Sequence, residues 1–270
     1  MSIAHTERKD RWEETCEVRF GPIDRSDRMT LASVFNFFQE AAISHAENLG
    51  VGRDSMAQSG RGWILCRISV QVNQRPYYGD NITIRTWPRG VEKLFAVRDY
   101  DIRNTDDIPV IQARSNWLVI DIEKRRPLRP QSAMDGLPLN EGCDALPSGA
   151  VGLAEQANLQ KTAELKAAYS DLDYNGHVNN VSYIHWIQNT VEPAELLEKA
   201  VHMRLDINYL NEILPGEIVE IWSAPIAFEG RDGITDGGDS SGRAFAFEGR
   251  KSTGPAAFRA ELRLWGFTDK

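Results

Sequence analysis

A chain that carries one structural unit twice must fold so that both copies bury the same faces. This chain of 270 residues carries such a unit. VRFGPIDRSDRMTLASVFNFFQ, from Val18, lies over AAYSDLDYNGHVNNVSYIHWIQ, from Ala167. Asp24 falls on Asp173, Ser33 on Ser182 and Gln39 on Gln188, and apolar positions match at Phe20/Tyr169, Ile23/Leu172, Phe35/Ile184 and Phe37/Trp186. A second block, RISVQVNQRPYYGDNITIRTWP from Arg67, lies over RLDINYLNEILPGEIVEIWSAP from Arg204, pairing Gly79 with Gly216, Asp80 with Glu217 and Ile84 with Ile221. The offset shortens between blocks because the first copy has the longer helix-to-strand connection. Each copy reads as a strand and turn, an apolar helix, then several strands.

The strands NITIRTW, LFAVRDYDI and VIQARSNWLVIDI of the first copy have counterparts EIVEIWSAPIAF, GRAFAFEGR and AAFRAELRLW in the second. They are rich in β-branched and aromatic residues, and the short links between them favour antiparallel pairing. The helix ASVFNFFQEAAISHAENLG, from Ala32, is apolar almost all round and must be buried on most sides. An antiparallel sheet curled about one apolar helix is the hotdog arrangement. The expected fold is therefore α+β, a tandem or double hotdog of two antiparallel sheets, each wrapped around a helix. QSAMDGLPLNEGCDALPSGAVG, rich in Gly, Pro and small residues, reads as a linker. The division expected is a first hotdog over 1–130, a linker over 131–152 and a second hotdog over 153–270.

An apolar content of 41% supports a real core, yet no run approaches the ~20 apolar residues of a membrane span. The start, MSIAHTERKDRWEETCEVRF, has no apolar signal region, and its acidic residues argue against a transit peptide. Cys16, Cys66 and Cys143 are widely spaced and form no C-x-x-C pair, which disfavours zinc and a disulfide framework and suits a reducing cytoplasm. A net charge of −8 disfavours nucleic-acid binding. EKRRPLRP, with Lys124, Arg125, Arg126 and Arg129, is a local exception. It is either a solvated loop between domains or a docking patch for an acidic partner. The GGDSSG run from Gly237 reads as a hairpin loop and lacks the lysine and strand–helix context of a phosphate loop.

The densest polar stretch is DLDYNGHVNN, from Asp171 to Asn180. Asp171, Asp173, Asn175 and Gly176 match the start of a calcium loop, but Ser182 stands where the bidentate Glu belongs. A helix start is the plainer reading, because Asn and Asp cap and VSYIHWIQ is apolar at helical spacing. The repeat separates capping from chemistry. Asn175 is matched by Ser26, His177 by Arg28 and Glu212 by Arg75, so the scaffold is duplicated and the polar set is not. A requirement of the fold should recur in both copies, whereas one active site need occur once. Asp173, which recurs as Asp24, is open to either reading. His45 and His185 sit within apolar helices and read as core or helix-surface residues. Trp63, Trp87 and Trp117 read as sheet aromatics.

SDLDYNGHVNNVSYIHWI resembles the signature of the acyl-acyl-carrier-protein thioesterases. FNFFQEAAISHAENLG, GWILCR, RTWPRG, SNWLVIDIEKRRPLRP and INYLNEILPGE extend the resemblance in order through both halves. It implies hydrolysis of fatty acyl thioesters carried on an acyl-carrier protein through phosphopantetheine, with no cofactor and no metal. Asp173, Asn175 and His177 match the family's D-x-N-x-H motif, and Glu212 its glutamate on the following strand. Many plant members place a Cys after that glutamate. Ile213 stands there, so the resemblance implies water attack rather than an acyl-enzyme. It also implies a bacterial-type or mature member acting in the cytoplasm, as a monomeric pseudo-dimer or a homodimer. The N–H groups of Gly176 to Asn179, at the start of a helix, suit the developing oxyanion. Glu212 is the candidate base, with Asn175 and His177 orienting it or binding the carbonyl. An acyl-coenzyme A thioesterase, a non-catalytic acyl sensor and a hydratase of the same fold are the alternatives. The carrier would dock on Lys124, Arg125, Arg126 and Arg129.

Overall fold

The computed structural model describes residues 4–5, 10–228, 242–252 and 254–268. Apart from Gly242, the GGDSSG run lies outside them. The first half runs β1 (Ala4–His5), β2 (Trp12–Glu17), α1 (Leu31–Asn48), α2 (Arg53–Gln58), β3 (Arg61–Val72), β4 (Asn81–Glu92), β5 (Phe95–Arg103), β6 (Pro109–Asp121) and β7 (Arg126–Leu128). A short helix α3 (Gln131–Met134) follows. The second half repeats the plan with β8 (Gln160–Lys166), α4 (Asn180–Asn189), α5 (Glu195–Lys199), β9 (Ala200–Tyr209), β10 (Ile218–Ile226), β11 (Arg243–Lys251) and β12 (Ala256–Phe267).

The strands pair in the order β1-β2-β4-β5-β6-β3-β9-β12-β11-β10-β8, with β7 added to β6. Read outward from the centre, each half gives the same sequence of equivalents apart from the edge strand β1, so the order is a mirror about β3 and β9. These two pair antiparallel from Arg67↔Asn208 to Val72↔Met203, and the two expected sheets are thereby one continuous sheet. Helices α1 and α4 pack against each other and on one face of it, in a single core that draws residues from both halves. In α1, Leu31, Val34, Phe35, Phe38, Ala41 and Ala42 are buried, and the Phe38 ring lies 4.8 Å from that of Tyr100 on β5. The second half also caps the first: the N–H of Ala32 donates to Oε1 of Gln188 at the far end of α4, at 2.9 Å.

The opposite face of the sheet holds buried charges. Arg114 donates to both oxygens of Asp99, at 2.7 and 2.6 Å, and also reaches Asp144. Asp206 accepts from Ser69 and Arg263. Such groups persist in an interior only when paired. The connection between the copies supplies part of that pairing. Ala145 N–H donates to Asp99, Val151 N–H to the Ser69 hydroxyl and Leu153 N–H to Asn208, so the Gly/Pro-rich segment lies as a strap across β5, β6, β3 and β9.

The turn that feeds each helix is built alike in both copies. In the first, Asp24 accepts the N–H and hydroxyl of Ser26, Asp24 N–H donates to Arg28 C=O, and Asp27 holds a left-handed φ of 58°. Thr30 then caps α1 through Ser33 N–H. Arg75, buried to 2% side-chain exposure, closes on Asp24 at 2.7 Å and on the carbonyl of Glu198. Burial alone would raise the Asp24 carboxyl. The Ser26 hydroxyl, Arg75 and the Ser26 N–H outweigh it and hold the group below its ordinary value of 3.8. A depressed carboxyl stabilises the fold above its unfolded pKa and loses that contribution as pH falls through its folded value. Asp24→Asn should therefore flatten the acid limb of a plot of urea midpoint against pH below about 4. Arg75→Ala, which strips a buried pair of one member, should cost about 3–5 kcal/mol in urea unfolding at neutral pH. A cost under about 1 kcal/mol would show that the pair does not hold this turn.

Candidate active site

The second copy forms the same turn from different side chains. Asp173 is its hub: Oδ1 accepts the N–H of Asn175 at 2.8 Å and, more weakly, that of His177 at 3.4 Å, while Oδ2 accepts Asn175 Nδ2 at 3.2 Å. Asp173 N–H donates back to His177 C=O at 2.8 Å. Gly176, with φ of 77°, takes the left-handed position that Asp27 holds in the first copy, at no steric cost. Asn179 caps α4 by accepting Val181 N–H at 2.9 Å. The short sequence D-x-N-G-H thus folds into a tight loop that presents its Asn and His outward.

Where Arg75 fills the first copy, Glu212 stands in the second. It lies three residues beyond the end of β9, in a loop rather than on the strand where the resemblance put it. Val178 N–H donates to Ile213 C=O at 2.9 Å and so ties this loop to the D-x-N-G-H turn. His177 Nε2 and Glu212 Oε2 then meet at 3.3 Å, with side chains 39% and 48% exposed. The Glu212 carbonyl is held by Lys251 Nζ at 3.1 Å. The arrangement is an accessible carboxylate–imidazole pair beside an amide, on a rigid loop. It can bind and deprotonate a water, and Asn175 Nδ2, which gives one hydrogen to Asp173, keeps a second to offer.

One expectation is corrected. The N–H groups from Gly176 to Asn179 are not available to an oxyanion. They already donate to Asp173 C=O, Asp173 Oδ1, Ile213 C=O and Asp171 C=O respectively. The capping structure that makes the turn rigid consumes them. The calcium-like carboxylates are likewise engaged, Asp173 as above and Asp171 with Ala168 N–H.

The other candidates sit apart from this pair. His45 is buried on α1, with Nδ1 3.1 Å from Arg98, and His185 is exposed on α4. The indole N–H groups of Trp63, Trp87 and Trp117 donate to Val51 C=O, Cys143 C=O and the Ser115 hydroxyl, which makes them structural. Lys124, Arg125, Arg126 and Arg129 are exposed. The first three lie on the turn and strand of the β6–β7 hairpin, which turns back on the first copy instead of spanning between domains. Lys124 is partly tied to Asp121 at 3.6 Å. Two neighbours of the site escaped sequence reasoning. Arg53, at the start of α2 in the first half, stacks over Tyr174 at 4.1 Å, and Lys251 holds Glu212. Neither belongs to a motif, and both meet the site only through the fold.

Family comparison accords with this geometry. The acyl-ACP thioesterase N-terminal domain matches residues 9–133, and the C-terminal domain of the same family matches 154–261. A chloroplastic acyl-[acyl-carrier-protein] hydrolase of Cuphea viscosissima is 29% identical over 72% of this chain and 50% of its own length. The chloroplastic oleoyl-acyl carrier protein thioesterase 2 of Arabidopsis thaliana is 26% identical over 77% of this chain and 61% of its own. The chain thus spans about half to three-fifths of these curated relatives. Among solved structures, an acyl-ACP thioesterase from Bacteroides thetaiotaomicron superposes with a TM-score of 0.80 at 24% identity, covering 94% of this chain and 98% of that one. The 12:0-ACP thioesterase from Umbellularia californica gives 0.76 at 18% identity, covering 94% of both. The likeness establishes the double-hotdog fold, and with both halves matched by its domains the chain belongs to the acyl-ACP thioesterase family.

Proposed function

We propose that this protein hydrolyses fatty acyl thioesters carried by the phosphopantetheine arm of an acyl-carrier protein, releasing free fatty acid and ending chain elongation. The observation that carries the reading is the His177–Glu212 pair at 3.3 Å, in the one copy of a duplicated loop that is not filled by an arginine. Glu212 takes a proton from water as the oxygen attacks the thioester carbon. A thioester carbonyl gains little from resonance, so one positioned base suffices. Asn175 Nδ2 and His177 face the developing oxyanion, and the proton returns to the leaving thiolate. Asp173 holds the loop. With Ile213 after Glu212, the reading includes no acyl-enzyme, and it calls for no metal or cofactor.

Residues 153–270 supply this chemistry, 1–130 one wall of the site, and 131–152 the connection. The Arg53–Tyr174 stack and the Ala32–Gln188 cap support that division. Because both copies share one sheet, a single chain suffices as a pseudo-dimer. Among the described residues no helix is long and apolar enough to cross a membrane. Free Cys16, Cys66 and Cys143 suit work in the cytoplasm.

The carrier, an acidic protein, meets a chain that is itself −8 and needs a local basic surface. Lys124, Arg125, Arg126 and Arg129 are that surface. Leu128 of β7 packs against the small cluster that includes Met56 of α2, and the same helix reaches the loop of the pair through Arg53, a link that supports this reading.

His177→Ala and Glu212→Gln should each lower kcat at least about 100-fold, while Ser26→Ala retains most activity. Equal losses at Ser26 and His177 would contradict a single site. Arg125→Glu with Arg126→Glu should raise KM for acyl-carrier protein severalfold, roughly the effect of a few rim contacts, and should leave a short acyl-coenzyme A nearly unchanged. A response shared by both substrates, or absent from both, would put docking elsewhere. Saturation by acyl-coenzyme A at lower concentration than by acyl-carrier protein would make coenzyme A the carrier.

A further inference from the structure

The short helix that follows each main helix touches the turn of the opposite copy. In the first copy Arg25, next to Asp24, donates through Nε and Nη2 to Oε1 of Glu198 on α5, at 2.9 and 2.6 Å. In the second, Tyr174 stands at the equivalent position, next to Asp173, and carries the guanidinium of Arg53 on α2 over its ring at 4.1 Å. Helices α2 and α5 are counterparts, since each lies between a main helix and a central strand. The two contacts therefore join equivalent elements and differ in charge. The Arg25–Glu198 pair is neutral. The Arg53–Tyr174 stack keeps a full positive charge, because a ring face holds a cation without neutralising it.

Arg53 is held at its backbone and at its tip. Its N–H donates to Oε1 of Glu47 on α1 at 2.8 Å, across Gly52, where a Cβ would overlap the Glu47 carboxyl. Its guanidinium lies over Tyr174, and both residues are exposed, the tyrosine to 58%. Among the described residues no carboxylate pairs with that guanidinium, Glu47 and Asp54 included, and no acceptor takes its N–H groups. A guanidinium held by its face keeps its fork of donors free at the edge, the geometry that takes a phosphate through two parallel bonds. Tyr174 stands between Asp173 and Asn175, so the fork lies beside the candidate site.

We infer that Arg53 binds the phosphate of the phosphopantetheine arm while the thioester lies at His177 and Glu212. The inference rests on the thioesterase reading of that pair. The length of the arm permits it. Phosphorus and sulfur are about thirteen bonds apart, the length of a little over four extended residues, or roughly 15 Å. From Asn175 Cα to the guanidinium is at most roughly 12 Å: a Cα–Cα step of about 3.8 Å, about 4 Å out to the Tyr174 ring centre, and the 4.1 Å stack. A phosphate at Arg53 thus leaves enough arm for the thioester to reach the pair. This site would read the arm, whereas the basic hairpin would meet the surface of the carrier itself.

Three thioesters of one short acyl group separate the sources of negative charge: on pantetheine, which has no phosphate, on phosphopantetheine, and on acyl-carrier protein. With the full chain, Arg53→Met should raise KM about fivefold for the second and third, the upper end for an exposed charge pair. KM for the pantetheine thioester should stay within about twofold. Arg53→Lys, which keeps the charge without the fork, should recover part of the loss. In the unsubstituted protein the advantage of phosphopantetheine over pantetheine should shrink with added salt, and in Arg53→Met it should be lost at every salt concentration. A fall in kcat common to all three substrates would make Arg53 only a staple on the loop. A loss confined to the carrier-protein thioester would make it a contact for the acidic carrier surface. Either result overturns the inference, as does hydrolysis of all three at rates indifferent to Arg53. Hydrolysis of none by the unsubstituted protein would instead overturn the proposed function, and this inference with it.

Discussion

The antiparallel ladder between β3 and β9 is the contact on which the rest of the molecule depends. Each copy alone would leave a long edge strand exposed, with unpaired N–H and C=O groups. Joining the two edges satisfies both, brings α1 against α4 over a shared core, and sets the two turns in a pseudo-symmetric relation. It also brings α2 of the first half to the D-x-N-G-H loop of the second, where Arg53 stacks on Tyr174. The strap, bonding through Ala145, Val151 and Leu153, reinforces the join on the outer face by pairing with Asp99, Ser69 and Asn208.

On this symmetric frame the two turns have diverged in charge and in burial. The first copy closes its turn with an internal pair, Asp24 and Arg75, the arginine nearly inaccessible. The second keeps the aspartate for the loop backbone and leaves an accessible glutamate facing a histidine. The same backbone bonds serve both, from the aspartate hub to the link between residue 29 or 178 and residue 76 or 213. A rigid loop fixed by shared bonds is free to change the side chains it presents, so stability and chemistry are carried by separate atoms of one motif.

Much of this was legible in the chain. The repeat exposed the double architecture because equivalent strands must carry equivalent alternation, and the mismatched pairs Asn175/Ser26, His177/Arg28 and Glu212/Arg75 singled out the residues that the structure brings together at the candidate site. The illegible parts are those set by distant partners. The N–H groups of Gly176 to Asn179 looked free because a helix start leaves them so, and the partner of Val178, Ile213, lies thirty-five residues away in sequence. Glu212 was expected on a strand, but the ladder of β9 ends at Tyr209, whose partner is Phe258 on β12. The basic run was open to reading as an interdomain loop because β7 is only three residues long, too short to declare itself by alternation. Composition marked residues 131–152 as a linker and gave no sign that it would pair buried charges. Arg114 and Asp144 are thirty positions apart and meet only across the sheet.

We propose that the duplicated scaffold carries one working site per chain, at His177 and Glu212. Calorimetric titration with acyl-carrier protein bearing a non-hydrolysable thioester analogue, combined with NMR of the labelled His177 ring, tests it most directly. With a single site, one equivalent should bind per chain and the His177 resonance should be perturbed on binding. Two equivalents per chain, or one that leaves His177 unperturbed, would contradict it.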